Sequence, residues 1–196
     1  MQYLKKEIRE RILNAAVEEF KEHGYADASI RNIANNAQIS LGNVYRYFTN
    51  KEGLYFAIIT PFMENIESAL ENEFSFEGKS MKEIAELLVD FLVKYSDELI
   101  IIRKGNSVHH DQFITYIVDV LSGKIREIMQ STHPEIDNLV SDPVFYEAIA
   151  EGFLTSLFKV LRKEDDNETL AHYARELITF YFGHLTDRFY HFDLEA

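Results

Sequence analysis

The sequence predicts an all-α protein, with an N-terminal three-helix unit followed by a larger C-terminal helical bundle, about nine helices in all. Three observations support this fold class. Apolar residues recur three and four positions apart over most of the 196 residues. Capping residues and helix breakers separate these periodic segments. Residues 29–54, SIRNIANNAQISLGNVYRYFTNKEGL, form two short helical patterns joined by a tight corner, which is a helix-turn-helix.

Composition limits the class of protein. With 46% apolar and 13% aromatic residues, the chain can form a folded core, and its lack of cysteine excludes disulfides and thiolate metal sites. The sequence contains no apolar run of about 18 residues, and the charged segment MQYLKKEIRERIL is unlike a signal peptide. We therefore expect a soluble, cytoplasmic protein without a membrane partner.

The net charge of −13 argues at first against a nucleic-acid partner, but the charge is unevenly distributed. Residues 1–55 carry eight Lys/Arg and seven Asp/Glu, a net +1, so the remaining residues carry −14. Arg31, Arg46 and Lys51 lie around the helix-turn-helix. The motif can therefore hold phosphates locally, while the acidic remainder opposes nonspecific binding to DNA.

The first helix is predicted over residues 5–23, with Gly24 as the residue that ends it. In the helix-turn-helix that follows, Ser29 is expected to cap the first of its two short helices and Ser40 the second. Asn50 is expected to cap the helix after the motif. Gln38 lies at the corner between the two short helices. A positive φ angle there would strain any residue other than glycine.

The remaining chain is predicted to be helical with one linker. Pro61 lies inside a helical pattern over residues 50–73 and should either kink that helix or mark a boundary. Residues 74–79 are the clearest linker, and 97–104 fit a strand or a helix by pattern, with helical surroundings favouring a helix. Two further helices are predicted over 109–130 and over 142–163, the second starting with Asp142-Pro143. Three others are predicted to start at the capping box Ser80–Glu83, at Pro134 and at a cap on Asn167.

The helix-turn-helix resembles that of the TetR family of bacterial transcriptional regulators. The resemblance covers residues 8–56 and departs from the usual pattern at Gln38, where the family has Gly, and at Asn43, where it has Thr. Its matching motifs are Ile33-Ala34, Ala37-Gln38-Ile39-Ser40, Gly42-Asn43-Val44-Tyr45-Arg46-Tyr47-Phe48 and Lys51-Glu52-Gly53-Leu54.

The resemblance implies a ligand-responsive transcriptional regulator, a repressor, that binds a palindromic DNA operator as a dimer and is released by a small-molecule effector. It also implies a helix-turn-helix DNA-binding domain at 1–50 and a helical ligand-binding and dimerisation domain at 51–196. In the family pattern, the position of Tyr45 contacts phosphate, that of Tyr47 faces the duplex, and Lys51 supplies charge to a phosphate. The predicted DNA-binding residues are Ser29, Arg31, Ser40, Leu41, Gly42, Asn43, Tyr45, Tyr47 and Lys51.

Aromatic residues of the C-terminal region are candidates for an effector site. Each of them is individually more typical of an ordinary core, and it is the resemblance that favours a cavity between the middle helices. The predicted lining residues are Phe91, Tyr95, Phe113, Tyr116, Tyr146 and Phe153. Such a lining favours an apolar or aromatic effector.

The last two helices carry broad apolar faces, and the resemblance implies that they pair across a two-fold axis in a homodimer. Gly152 and Ser156 are small and four residues apart, so they would permit another helix to approach closely.

Two alternatives come from other functional classes. A helical adaptor could use the motif to bind protein, without DNA or ligand function. An enzyme could be built around His109, His110 and Asp111, but adjacent histidines diverge by about 100° on a helix and do not readily chelate one ion. No complete catalytic constellation is present. We therefore expect no catalytic residues, no metal and no cofactor.

Overall fold

The structure, a computed structural model, describes residues 5–69, 80–105, 107–132, 134, 140, 142–161 and 166–183. Within these ranges the fold is entirely helical, as predicted, and contains nine helices. They are α1 (Lys6–Asp27), α2 (Ile30–Asn36), α3 (Leu41–Tyr47), α4 (Lys51–Ser68), α5 (Met81–Lys94), α6 (Ser96–Arg103), α7 (Ser107–Thr132), α8 (Pro143–Val160) and α9 (Asn167–Phe182).

The first compact unit comprises Met1–Ala69 and Tyr95–Asp111, and it contains α1 to α4 together with α6. Helix α1 packs against α2, α4 and α6, and α2 packs against α3. Ile12, Phe20, Leu54 and Ile101 are fully buried in this unit. Each buried side chain of this size contributes about 1.5–3 kcal/mol relative to an exposed one, so this core holds the short helices α2 and α3 in place.

Helix α6 is fastened to α1 by polar contacts at both of its ends. The Lys21 ammonium lies 2.7 Å from the Asp97 carboxylate at the start of α6. At the other end, Lys104 donates to the carbonyl oxygen of Lys21 at 2.6 Å and accepts from the backbone N–H of Tyr25 at 3.2 Å. Gly24 makes this approach possible, since a Cβ atom there would lie 2.7 Å from the Lys104 oxygen.

The second compact unit comprises Leu70–Lys94 and Gln112–Ala196. In it, α9 packs against both α5 and α8, and Arg175 on α9 donates to both carboxylate oxygens of Glu86 on α5 at 3.0–3.2 Å. Ala150 and Ala174 are fully buried on α8 and α9.

Gly152 and Ser156, predicted to permit close approach of another helix, accommodate a side chain of the same protomer. A Cβ atom at Gly152 would lie 3.3 Å from the Tyr181 hydroxyl, and the Ser156 hydroxyl is 2.8 Å from the same oxygen. The small residues therefore serve the packing of α8 against α9.

Most predicted helix starts are confirmed. Ser40, Asn50 and Asp142 accept hydrogen bonds from the first turns of α3, α4 and α8, and Ser80 with Glu83 forms the predicted capping box. The predicted cap at Asn167 is wrong. The Asp166 carboxylate accepts from the N–H of Thr169 at 2.7 Å, so Asn167 is the first helical residue.

The helix ends and interruptions predicted from the sequence can be compared with the structure at Gly24, at Pro61 and over residues 97–104. Gly24 adopts φ 72° and interrupts the regular helix within α1, as expected of a helix-ending glycine. Helix α4 continues through Pro61 to Ser68, so this proline does not mark a helix boundary, and residues 97–104 are helical in α6. The predicted linker at 74–79 and the helix following Pro134 lie outside the described residues.

The predicted division of function at residue 50 is not the division made by packing. Helices α4 and α6 lie in the first compact unit, so the DNA-binding domain at 1–50 and the ligand-binding domain at 51–196 stay predictions about function. Among the helices described, none is both long and apolar enough to span a lipid bilayer.

Candidate nucleic-acid interface

Helices α2 and α3 form a helix-turn-helix whose corner is a left-handed residue. Gln38 has φ 55°, and its N–H donates to the Asn35 oxygen at 3.0 Å, while the N–H of Ile39 donates to the Ala34 oxygen at 3.0 Å. One nitrogen of the Arg11 guanidinium on α1 donates to the carbonyl oxygens of Ala37 and Gln38. The first helix therefore supports the turn that sets the direction of α3.

The second helix of the motif is anchored on one side only. Val44 is fully buried, whereas Gly42 and Arg46 are exposed and Tyr45 is 48% exposed. Ser40 caps the helix by accepting from the N–H of Asn43 at 3.3 Å. The anchored side fixes α3 to the unit, and the opposite side presents polar and aromatic groups that can enter a groove of DNA.

Leu41, Asn43 and Tyr47 lie half-buried at the margins of this exposed side. The Tyr47 hydroxyl accepts from the backbone N–H of Lys5 at 3.0 Å, which joins α3 to the start of α1. Tyr47 is therefore partly buried and hydrogen-bonded within the protein, whereas Tyr45 projects into solvent. The two tyrosines are two residues apart on a helix, and they accordingly point to different sides of α3.

Exposed cationic side chains lie at the starts of α1 and α2, the two helices that precede α3. Lys5, the N-cap of α1, is exposed, as are Lys6 and Arg9 on its first turn and Arg31 on the first turn of α2. The Arg9 guanidinium lies 5.4 Å from the centre of the Phe48 ring, directly after α3. These groups supply the positive charge that a DNA backbone requires, within a chain of net charge −13.

Lys51 is held within the protein, which its predicted role did not anticipate. Its ammonium donates to the carbonyl oxygens of Ala26 and Ala28 at 2.8 and 3.0 Å and lies 5.0 Å from the centre of the Tyr25 ring. Burial, together with the negative charge of Glu52, raises the pKa of Tyr25, which therefore stays neutral beneath the cation. In this state Lys51 fastens the α1–α2 connection to α4.

Ser29 precedes α2 as predicted, but a different side chain satisfies this helix start. The buried carboxylate of Glu19 accepts from the N–H of Ser29 at 2.9 Å and from the Asn32 amide at 3.1 Å. The Ser29 hydroxyl makes no capping hydrogen bond. Sequence analysis missed Glu19, although a carboxylate on the apolar side of α1, beside Ala15, Ala16 and Phe20, is a signal of a buried polar contact.

The six predicted ligand-binding residues are distributed over both compact units. Tyr95 lies in the first unit, where its buried ring packs 5.3 Å from that of Phe62. In the second unit, the Tyr146 hydroxyl donates to the Val140 oxygen at 3.2 Å, and the Phe153 ring packs against Tyr181 at 5.6 Å. Phe113 is buried, whereas Phe91 and Tyr116 are half-buried. Their role in binding a ligand stays a prediction.

In the histidine cluster, the side chain of His110 makes a contact within the protein. Nδ1 of His110 lies 3.3 Å from the carbonyl oxygen of Ile102, a contact that joins the start of α7 to the end of α6. Among the described side chains, no three His, Asp or Glu residues lie close enough together to hold a metal ion.

Comparison with known proteins relates the motif to a family. Residues 12–58 match the sequence profile of a family described as "Bacterial regulatory proteins, tetR family". The chain is 49% identical over 51 residues to the HTH-type transcriptional regulator UidR of Escherichia coli, a match covering 26% of each protein. It is 28% identical over 95 residues to the uncharacterized HTH-type transcriptional regulator YdgC of Bacillus subtilis, covering 47% of this chain and 49% of YdgC.

The chain thus spans about half or less of these curated relatives, while the fold is matched over a greater length. The crystal structure of the transcriptional regulator FadR from Bacillus subtilis, in complex with stearoyl-CoA, superimposes with a TM-score of 0.58. The match covers 87% of this chain and 97% of FadR at 22% sequence identity. The all-helical fold is therefore shared well beyond the N-terminal motif.

Proposed function

Since this chain, by its residues 12–58, belongs to the TetR family of bacterial regulatory proteins, we propose that it is a ligand-responsive repressor that binds a palindromic DNA operator as a dimer. The observation that carries the proposal is the arrangement of α3. The helix is fixed by the buried Val44 and presents Gly42, Tyr45 and Arg46 to solvent, with the exposed cations of α1 and α2 nearby in sequence.

In this proposal the first turn of α3 reads base edges in the major groove. Leu41 offers an apolar contact, for instance to a thymine methyl, and Asn43 offers a hydrogen bond to a base or a phosphate. Tyr45 and Arg31 contact phosphates on either side and determine the register. Ser29, Ser40, Tyr47 and Lys51 complete the interface that the family pattern implies, and Lys51 reaches DNA only if it leaves its carbonyl partners.

The dimer is proposed to form through α8 and α9. Phe180 is 67% exposed and Tyr173 is 40% exposed, and because they are seven residues apart they lie on the same side of α9. Val144 at the start of α8 is 62% exposed. Large apolar side chains at the surface are typical of an interface, and a two-fold dimer would place two recognition helices about 34 Å apart, one turn of DNA.

The effector is proposed to be a small apolar or aromatic molecule bound in the second compact unit, among Phe91, Phe113, Tyr116, Tyr146 and Phe153. Tyr95, whose ring packs against Phe62 in the first unit, is not part of this proposed site. The presence of stearoyl-CoA in the FadR structure supports an apolar ligand for a protein of this fold. Effector binding can release DNA only by favouring a conformation with lower DNA affinity. Stearoyl-CoA is therefore the first probe for a ligand-dependent shift in melting temperature and in DNA affinity.

The decisive experiment is selection of bound sequences from a random duplex pool with the purified protein at two salt concentrations. We expect enrichment of an inverted repeat with half-sites about one helical turn apart, and affinity that falls as salt rises. Sedimentation at micromolar concentration should give a dimer. Failure to enrich any sequence at either salt concentration, before and after unfolding and refolding to remove bound ligand, would contradict the proposal and favour a helical adaptor.

A further inference from the structure

Gln38 adopts a backbone conformation that its side chain disfavours. Its φ of 55° lies in the left-handed region, and it is the one residue other than glycine with a positive φ in the described part of the chain. A glycine would adopt this conformation without steric conflict, whereas a Cβ atom crowds the neighbouring carbonyl group. The fold alone would therefore favour glycine at this corner.

The corner is held together by backbone groups, without the Gln38 side chain. The N–H groups of Gln38 and Ile39 are bonded to carbonyls of α2, and Arg11 binds the carbonyl oxygen of Gln38 at 3.3 Å. The side chain is exposed, and among hydrogen bonds between described residues none uses its carboxamide. Among the described residues, therefore, no hydrogen bond favours glutamine over glycine at this corner.

The position of Gln38 suggests what the carboxamide contacts. It lies two residues before Ser40, the N-cap of α3, and so directly precedes the helix that is proposed to enter the major groove. Strained residues are concentrated at functional sites, where the contact that they make offsets the strain. Glutamine is also one of the side chains that donate hydrogen bonds to DNA phosphates.

We propose that the Gln38 carboxamide is an additional DNA contact, which donates its N–H to a backbone phosphate beside the major groove as α3 enters. This inference rests on the proposed function, and it identifies a DNA contact at a position where the family pattern has no side chain. A neutral donor releases no counterion, so the contact adds affinity for duplex DNA of any sequence without steepening the salt dependence.

The test compares Gln38→Gly, Gln38→Ala and Gln38→Glu with the wild type, on a duplex selected from the random pool and on an unrelated duplex. Gln38→Gly should raise the melting temperature yet bind both duplexes about tenfold more weakly, the usual loss for one hydrogen bond to a charged group. Gln38→Ala keeps the left-handed residue without the carboxamide and should lose the same affinity without the gain in stability. Gln38→Glu should bind more weakly still, because its carboxylate repels phosphate.

Two controls separate the contact from general effects. Gly123→Ala, at an open position on α7, should leave DNA affinity unchanged. Arg31→Ala should reduce the slope of log affinity against log salt by about one, the change expected for one lost ionic contact. Gln38→Gly should leave that slope unchanged.

Wild-type affinity in Gln38→Gly would overturn the inference while leaving the proposed function intact. A changed consensus in a selection repeated with Gln38→Gly would also overturn it, since Gln38 would then read a base. If the wild type bound no duplex, the proposed function itself would fail, which distinguishes the two failures.

Discussion

The guanidinium of Arg11 on α1 lies 3.3 Å from the carbonyl oxygen of Gln38 and also donates to the carbonyl of Ala37. These two carbonyls form the corner of the helix-turn-helix, at the end of α2 and before α3. A cation on the first helix thus stabilises the turn that orients α3. Arg11 contributes through its position even if it never contacts DNA.

Replacing Arg11 by methionine should lower the free energy of unfolding by about 1–2 kcal/mol, because two carbonyl oxygens lose a charged donor. DNA affinity should fall severalfold, as the turn becomes less well defined. Denaturant unfolding and fluorescence anisotropy would measure the two effects. The control is Lys6→Met, which removes a cation from α1 whose ion pair with Glu10 is exposed, and which should change stability by less than about 0.5 kcal/mol. Equal destabilisation by both substitutions would contradict this role of Arg11.

Lys51 and Tyr45, both predicted to contact DNA, should differ in their effect on stability. Lys51→Ala removes the donor to Ala26 and Ala28 and should lower the free energy of unfolding by about 1–3 kcal/mol, besides weakening DNA binding. Tyr45→Ala removes a side chain that is 48% exposed and should change stability by less than about 0.5 kcal/mol while weakening DNA binding. Thermal unfolding of the two variants distinguishes them. A wild-type melting temperature for Lys51→Ala would show that its carbonyl contacts are dispensable.

Gly42 and Gly123 form a matched pair of helical glycines. A Cβ atom at either position would meet no atom within 4 Å, so alanine should stabilise each helix by about 0.5–1 kcal/mol. Gly42 lies on the exposed side of α3, where an added methyl group would meet DNA, whereas Gly123 lies on α7. Gly42→Ala should therefore be more stable but bind DNA more weakly, while Gly123→Ala gains stability alone. Unchanged DNA affinity in Gly42→Ala would mean that this side of α3 does not approach a duplex.

Glu98 on α6 should make stability depend on pH. Burial raises the pKa of its carboxyl group, and the neighbouring Asp97 adds to the rise. A raised pKa in the folded state gives stability that is present below the unfolded-state value, about 4.3, and is lost as pH rises through the folded-state value. Glu98→Gln should therefore be more stable than the wild type at pH 7, with a difference that vanishes near pH 4.

Glu86→Gln is a control for which the change in stability at neutral pH should have the opposite sign. The hydrogen bond from Arg175 lowers the pKa of Glu86, so its contribution to stability is present at pH 7 and is lost as pH falls through the lowered value. Glu86→Gln should thus be less stable than the wild type at neutral pH, with a difference that disappears in acid. Melting curves between pH 3 and pH 8 for both variants would check the two signs. The same pH trend in both would contradict the assignment.

The sequence predicted the helices well because the signals for a helix are local. Apolar spacing and the caps at Ser40, Asn50, Ser80 and Asp142 each involve residues within one or two turns of each other. The error at Asn167 arose because Asp166 and Asn167 are both good caps, and only the geometry of the turn selects between them. The strained corner at Gln38 was also predictable, since the family pattern has glycine there.

The contacts that join distant residues could not be predicted in the same way. Lys51 binds carbonyls more than twenty residues away, Lys104 binds the end of α1, and Tyr181 occupies the space beside Gly152. Each of these depends on how helices pack, and a lysine or a glycine has no local pattern that reveals its tertiary partner. For this reason the sequence could indicate which residues of the motif are polar or charged, but not that Lys51 would bind carbonyl oxygens within the protein.

The fastening of α6 to α1 has a consequence for the order of folding during synthesis. Lys21 and Tyr25 find their partners at Asp97 and Lys104, about 80 residues later in the chain. Contacts this distant in sequence form only after the intervening chain has been made. The first compact unit therefore cannot finish folding when only residues 1–69 have left the ribosome, because it also needs residues 95–111. A nascent chain that stops at residue 69 should remain more open to proteolysis than one that extends past residue 111.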